Sequence, residues 1–175
     1  GIASSGSSGD IDIGTGDATN GQAGTISIMV GDTTKASENG AMVTMKAGLT
    51  TGGTGGAFSI AAGLGSVNGG LVRIQSGVGT STLGGSMSLS AGKGGTQGGS
   101  VVMEGGVGDS HTGGSITIAS GSGTGSSSGF MTIVTAATTK GVTGDLMFSS
   151  GIASSGSSGD IDIGTGDATN GQAGT

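Results

Sequence analysis

Apolar residues in this chain fall in pairs, with one residue between the two members, and the pair returns about every fifteen positions. In chain order the pairs are Ile11 with Ile13, Ile26 with Ile28, Val43 with Met45, Phe58 with Ile60, Val72 with Ile74, Met87 with Leu89, Val101 with Met103, Ile116 with Ile118, Met131 with Ile133, Leu146 with Phe148 and Ile161 with Ile163. The steps between them are 15, 17, 15, 14, 15, 14, 15, 15, 15 and 15 residues, 150 in all. A spacing of two places both members on one face of an extended segment. In the unit around Arg73, residues Val72, Ile74, Ser76 and Val78 share that face, while Arg73, Gln75 and Gly77 share the other. A fixed period of this length implies that each unit is too small to bury its own apolar face and is completed by its neighbours. The eleven pairs are therefore expected to form the core ladder.

Glycine punctuates the same period. Three residues after the second apolar mark stand Gly16, Gly31, Gly48, Gly63, Gly77, Gly92, Gly106, Gly121 and Gly151, with Ala136 the exception. A second column precedes each pair: Gly24, Gly40, Gly56, Gly70, Gly85, Gly99, Gly114, Gly129, Gly144 and Gly159. Glycine weakens a strand interior and marks bends or close backbone approach, so each column reads as a corner. Length changes, including the extra residues around Lys35 to Asn39, fall between the corners, where an outward loop can grow without shifting a stack. Apolar residues do not recur at spacings of three and four, so no helix is expected. The predicted fold is all-β: a narrow single-chain β-solenoid with coils of about 15 residues, ten coils to a 150-residue frame. Successive coils would stack about 4.8 Å apart in a cross-β arrangement. An antiparallel meander explains the period but not the columns.

Residues 1–25, GIASSGSSGDIDIGTGDATNGQAGT, recur unchanged as residues 151–175. Residues 1–150 are thus expected to be one ten-coil frame, and 151–175 the start of the next identical frame. Both a natural tandem array and a repeat across an assembly boundary fit this identity.

Composition narrows the classes. The chain has 45 glycines in 175 residues, no proline, cysteine, tryptophan or tyrosine, and three phenylalanines. Without proline or a strict every-third glycine it is not collagen, and the phased apolar residues set it apart from a Gly/Ser linker. The formal net charge is −6, and Lys35, Lys46, Arg73, Lys93 and Lys140 are too dispersed for a phosphate-binding stripe. Nucleic acid is not an expected partner. No run of about 18 apolar residues suggests a membrane span. The absence of cysteine leaves the redox compartment open.

The stretch GGLVRIQSGVGTSTL, Gly69 to Leu83, carries every element of the unit: a Gly-Gly step, the alternating triplet and a small-Gly step. In this pattern the chain resembles the narrow glycine-rich β-solenoids of surface and extracellular fibres. Its fifteen-residue coil is similar to that of some insect antifreeze solenoids. The resemblance implies a structural repeat at the cell surface or outside the cell.

Little in the sequence promises catalysis, and no enzyme is expected. His111, the only histidine, lies beside Asp109 and Ser110, but there is no strand-to-helix elbow to sharpen a serine. One imidazole and no thiolate make a poor zinc site. Gly-x-Gly steps such as Gly14 to Gly16 do not open a helix, so they are not dinucleotide fingerprints. One polar column recurs six residues after the second mark: Thr19, Thr34, Thr51, Ser66, Thr80, Gly95, Asp109, Thr124, Thr139 and Ser154. It reads as a structural ladder, with an ice-binding face as the alternative. Met29, Met42, Leu71, Val102, Phe130, Val134 and Met147 occupy outward positions and are candidate lateral contacts. In the solenoid register Asp145, Asp160 and Asp162 form an acidic patch that would suit calcium, with Asp10 and Asp12 as copies of the last two. No other cofactor is expected. The expected function is a structural protein that builds long extracellular or cell-surface fibres from copies of itself, end to end and side by side. The alternative is the repetitive stalk of an adhesin or of a ligand- or ice-binding surface protein.

Overall fold

The computed structural model describes residues 1–174, and among these there is no α-helix and no β-strand. It divides into two units, Gly1–Met87 and Ser88–Thr175, so the division falls between the paired residues Met87 and Leu89. The period is nevertheless visible as a chain of local loops. The backbone bends at residues 19–21, 51–53, 66–68, 80–82, 95–97, 109–111, 124–126, 139–141, 154–156 and 169–171. These bends begin at the Thr/Ser-rich column and its counterparts, which is therefore the tip of each loop.

A single backbone hydrogen bond closes six of these loops at the base. The second-column glycine donates its N–H to the carbonyl of the first-column glycine: Gly56 to Gly48 at 3.0 Å, Gly70 to Gly63, Gly85 to Gly77 and Gly99 to Gly92 at 2.9 Å, Gly114 to Gly106 at 2.8 Å and Gly129 to Gly121 at 2.9 Å. Both glycine columns are thus accounted for as the two sides of one clasp. The approach is close. A Cβ at Gly70 would stand 3.2 Å from the Ala62 Cβ, 3.2 Å from the Gly63 nitrogen and 3.3 Å from the Gly63 carbonyl oxygen.

Size at the preceding position tracks where the clasp forms. The clasped units carry Ala47, Ala62, Ser76, Ala91, Gly105 and Ser120 there; units with Thr15, Val30, Thr135 and Thr165 lack the bond. At two of these the threonine bridges instead, Thr15 Oγ1 donating to the Gly24 carbonyl at 3.1 Å and Thr165 Oγ1 to that of Gly174 at 3.3 Å. Branching at Cβ places a methyl group where the opposing backbone would come, and the Thr15 Cγ2 is 3.2 Å from a Cβ built on Gly24. Ser150 is small and its unit is still unclasped, for which the structure offers no reason.

The β-solenoid and cross-β expectations are overturned by this backbone. Among the described residues no hydrogen-bonded ladder joins the triplet of one unit to the next, so no sheet exists. Nor do the eleven pairs form a core ladder, because no described residue is buried. The first members, Ile11, Ile26, Val43, Phe58, Val72, Met87, Val101, Ile116, Met131, Leu146 and Ile161, are all exposed. So are the second members, Ile13, Ile28, Met45, Ile60, Ile74, Leu89, Met103, Ile118, Ile133, Phe148 and Ile163. Exposure runs from 47% at Val72 to 86% at Ile11. With no sheet to bring one triplet over the next, none of these side chains receives the cover that a stacked coil would give it. The total accessible surface is 17208 Å². A compactly folded chain of this mass would expose about 7,400 Å².

Two features account for the difference from the sequence expectation. Each unit offers only two regularly placed apolar side chains, while 45 of the 175 residues are glycine, which loses the most conformational freedom on ordering. Clasping glycines seven or eight residues apart also closes a shorter loop than pairing one unit with the next would.

The longest unit departs from the others. Its extra residues make a separate turn in which the Glu38 N–H donates to the Lys35 carbonyl at 3.4 Å. Ser37 there has φ 72°, the only left-handed non-glycine among the described residues. Lys35 Nζ and Glu38 Oε1 pair at 3.0 Å across the turn. Both side chains are exposed, so the pair contributes about 0–1 kcal/mol.

Candidate functional site

The alternation written into the triplets survives without a sheet. In Val101-Val102-Met103 the exposures run 50%, 71% and 62%, and in Leu146-Met147-Phe148 they run 51%, 78% and 60%. Sequence alternation thus becomes a half-sheltered row and an open row, as side chains on an extended backbone point to opposite sides. Met29, Met42, Leu71, Val102, Phe130, Val134 and Met147 all belong to the open row, with Phe130 at 92%. Every unit therefore presents apolar side chains to solvent, and the feature repeats along the chain. Isolated exposed apolar residues are ordinary on protein surfaces; here the exposure recurs in every unit.

No concave site accompanies these rows. No pocket opens among the described residues, and no three His, Asp or Glu side chains there come together in a way that could hold a metal ion. Asp145, Asp160 and Asp162 are consequently not gathered into a three-carboxylate group; all three are exposed. His111 ends the bend at 109–111, and among the described residues no side-chain hydrogen bond joins it to Asp109 or Ser110. The threonine column forms no hydroxyl ladder there either. Its hydroxyl-bearing neighbours bond locally, with Thr138 Oγ1 donating to the Lys140 carbonyl at 2.8 Å and Thr50 Oγ1 accepting from the Gly52 N–H at 3.4 Å. Arg73 donates from Nε to Gln75 Oε1 at 2.9 Å, and from Nη2 to the same oxygen. This fork lies on the face opposite Val72 and Ile74 and ties down the one guanidinium of the chain. No helix among the described residues is long and apolar enough to cross a membrane.

Sequence reasoning missed one glycine column. Gly65, Gly79, Gly94, Gly108 and Gly123 stand two residues after the first clasp glycine, inside the loop. A Cβ at Gly65 would run into the Asn68 carbonyl, at Gly79 into that of Leu83 and at Gly94 into that of Gln97. The two arms of each loop pass too close there for any side chain. The signal was present, since the spacing repeats through five successive units, but abundant glycine elsewhere hid it. Of the small residues before the first clasp glycine, Ser76 was legible in the sequence, as a member of the face of Val72 and Ile74. Ala47 and Ser76, both in that column, are the most withdrawn from solvent among the described residues.

No family model matches this chain, and no curated protein or solved structure matches it.

Proposed function

We propose that this chain is a structural protein whose units associate with further copies of the same chain to build long fibres outside the cell or at its surface. The observation that carries the reading is the apolar pair left open in all eleven units. Whatever covers such a row must repeat with the same period of about fifteen residues, and a second copy of this chain has that period. Its sixteen charged residues are sparse enough that two copies would meet with little repulsion. The amount of surface is also ample. A stable protein–protein interface needs about 1,600 Å², and the excess of this chain over a compact one is about 9,800 Å² by the scaling for folded monomers. Exposed loops tipped with Ser, Thr and Gly separate the rows and would keep the assembly hydrated.

Sedimentation velocity across a wide range of concentration, with electron microscopy of the heavy fraction, tests this reading. Self-association should grow with concentration and yield elongated particles. Replacing Val72 and Ile74 by Ser removes about 1.5–3 kcal/mol per side chain if each becomes fully covered, and should shift the association to higher concentration. The loop-tip change Thr80→Ser should not. A chain that stays monomeric at every concentration, or a double variant that associates as the parent does, would refute the proposal.

A further inference from the structure

All seven methionines lie in or directly beside the apolar triplets, and none lies in the loops between the clasp glycines. Met45, Met87, Met103 and Met131 are members of the pairs; Met29, Met42 and Met147 belong to the open row. Each is exposed, from 50% at Met131 to 85% at Met29. The chain has no cysteine, tryptophan or tyrosine. Thioethers are therefore its principal oxidisable groups; four of them sit in the pairs assigned above to association, and the other three stand next to pair residues in the chain, in the open row. Methionine packs as a flexible apolar side chain, whereas its sulfoxide is polar and disrupts methionine-bearing interfaces.

We propose that these methionines make association redox-sensitive: two-electron oxidation to the sulfoxide by a peroxide disperses the copies, and two-electron reduction by a dithiol, which becomes a disulfide as the sulfoxide oxygen leaves as water, restores them. In the step, a sulfur lone pair attacks one peroxide oxygen, the S–O bond forms as the O–O bond breaks, and the departing hydroxide takes a proton to leave as water. Sulfur loses two electrons and the peroxide gains them. Covering a sulfoxide against an apolar row leaves its oxygen without a hydrogen-bond donor, so the oxidised chain is held in its separated state. Linkage works in both directions: if oxidation weakens association, association must make oxidation less favourable. This inference rests on the self-association reading, and the experiment separates the two.

The full chain is assembled, exposed to hydrogen peroxide, and divided into pelletable and soluble fractions, with oxygen uptake at each methionine read by peptide mass spectrometry. The expected result is loss of the pelletable fraction as Met45, Met87, Met103 and Met131 gain one oxygen each, and its return after treatment with methionine sulfoxide reductases. A variant with Met→Leu at positions 29, 42, 45, 87, 103, 131 and 147 keeps volume and apolarity nearly unchanged and should remain pelletable in peroxide. A parent chain that takes up the oxygens and stays assembled, or a leucine variant that disperses equally, overturns the redox inference while leaving self-association in place. An untreated parent chain that never assembles overturns both. A second measurement does not depend on the variant assembling: the four paired methionines of the parent should oxidise more slowly in the assembled chain than in the dilute one, and equal rates would also overturn the inference.

Discussion

Adjacent glycines in one unit offer a controlled test of the clasp. Gly69→Ala and Gly70→Ala are the same chemical change one residue apart, and neither glycine has a left-handed backbone. Around Gly69 there is nothing within 4 Å of a new Cβ. At Gly70 the new Cβ meets the Ala62 Cβ and the Gly63 nitrogen at 3.2 Å and the Gly63 oxygen at 3.3 Å, and two of these three neighbours are backbone atoms. The Gly63 backbone can yield only by moving away, which lengthens the 2.9 Å hydrogen bond to the residue 70 N–H. Both substitutions gain about 0.4–1 kcal/mol by restricting the open chain, so this effect cancels in the comparison. What remains is the net worth of one hydrogen bond, about 1 kcal/mol, or about a five-fold change in the opening equilibrium at 1.4 kcal/mol per factor of ten. Amide hydrogen exchange at residue 70, followed by NMR and corrected for the intrinsic rate of each residue type, reads this equilibrium directly. Protection at residue 70 should be about five-fold lower in Gly70→Ala than in Gly69→Ala, which should keep or raise the protection of the parent chain. Equal loss in the two variants would refute the claim that a steric clasp, rather than glycine flexibility in general, holds the loop.

Two further changes probe the same units. Ala62→Thr puts a branched side chain at the position where Thr15 and Thr135 occur, and should abolish protection at the Gly70 amide while leaving the clasp from Gly99 to Gly92 intact; retained protection at Gly70 would show that size at this column does not control the clasp. Ser37→Gly should relieve a left-handed residue and tighten the turn at Lys35 to Glu38 by about 1 kcal/mol, seen as lower amplitude of motion in the amide order parameters of residues 36–38, with no change or a looser turn as the contrary result.

Local structure was largely legible in the sequence. The period and both glycine columns could be read from spacing, but the place of the bends could not: the glycine columns, expected to be corners, are the two sides of a clasp, and the chain bends instead at the Thr/Ser-rich column, expected to be a structural ladder. A loop closed within eight residues depends only on side chains inside it, and the duplicated stretch shows this: residues 4–6 and 154–156 bend alike, Gly6 and Gly156 have φ 86° and 108°, and Thr15 and Thr165 make the same bridge. The two-residue alternation was legible as well, and it survives as graded exposure in the triplets. The absence of helix among the described residues followed from the same spacing.

Whether units pair with one another was not decided by the pattern, because periodic apolar marks suit stacking within a chain and covering by another chain equally well. That choice depends on whether the backbone groups of one triplet meet those of the next, and among the described residues they do not. Ile60 and Ile74, or Ile118 and Ile133, were assigned to one ladder only because a stacked register would superpose them, and both couples stand open to solvent. The acidic residues Asp145, Asp160 and Asp162 were placed together through the same register, so their grouping was lost with it. Even identical residues differ once neighbours count: Ile11 is 86% exposed and its copy Ile161 53%, although Ile2 and Ile152 are both fully open. Sequence by itself determined the period, the two glycine columns and the residues that face away from each other, since these are set within one unit. Only the tertiary structure decided how much cover each apolar pair receives, because that cover comes from residues outside the pair's own repeat.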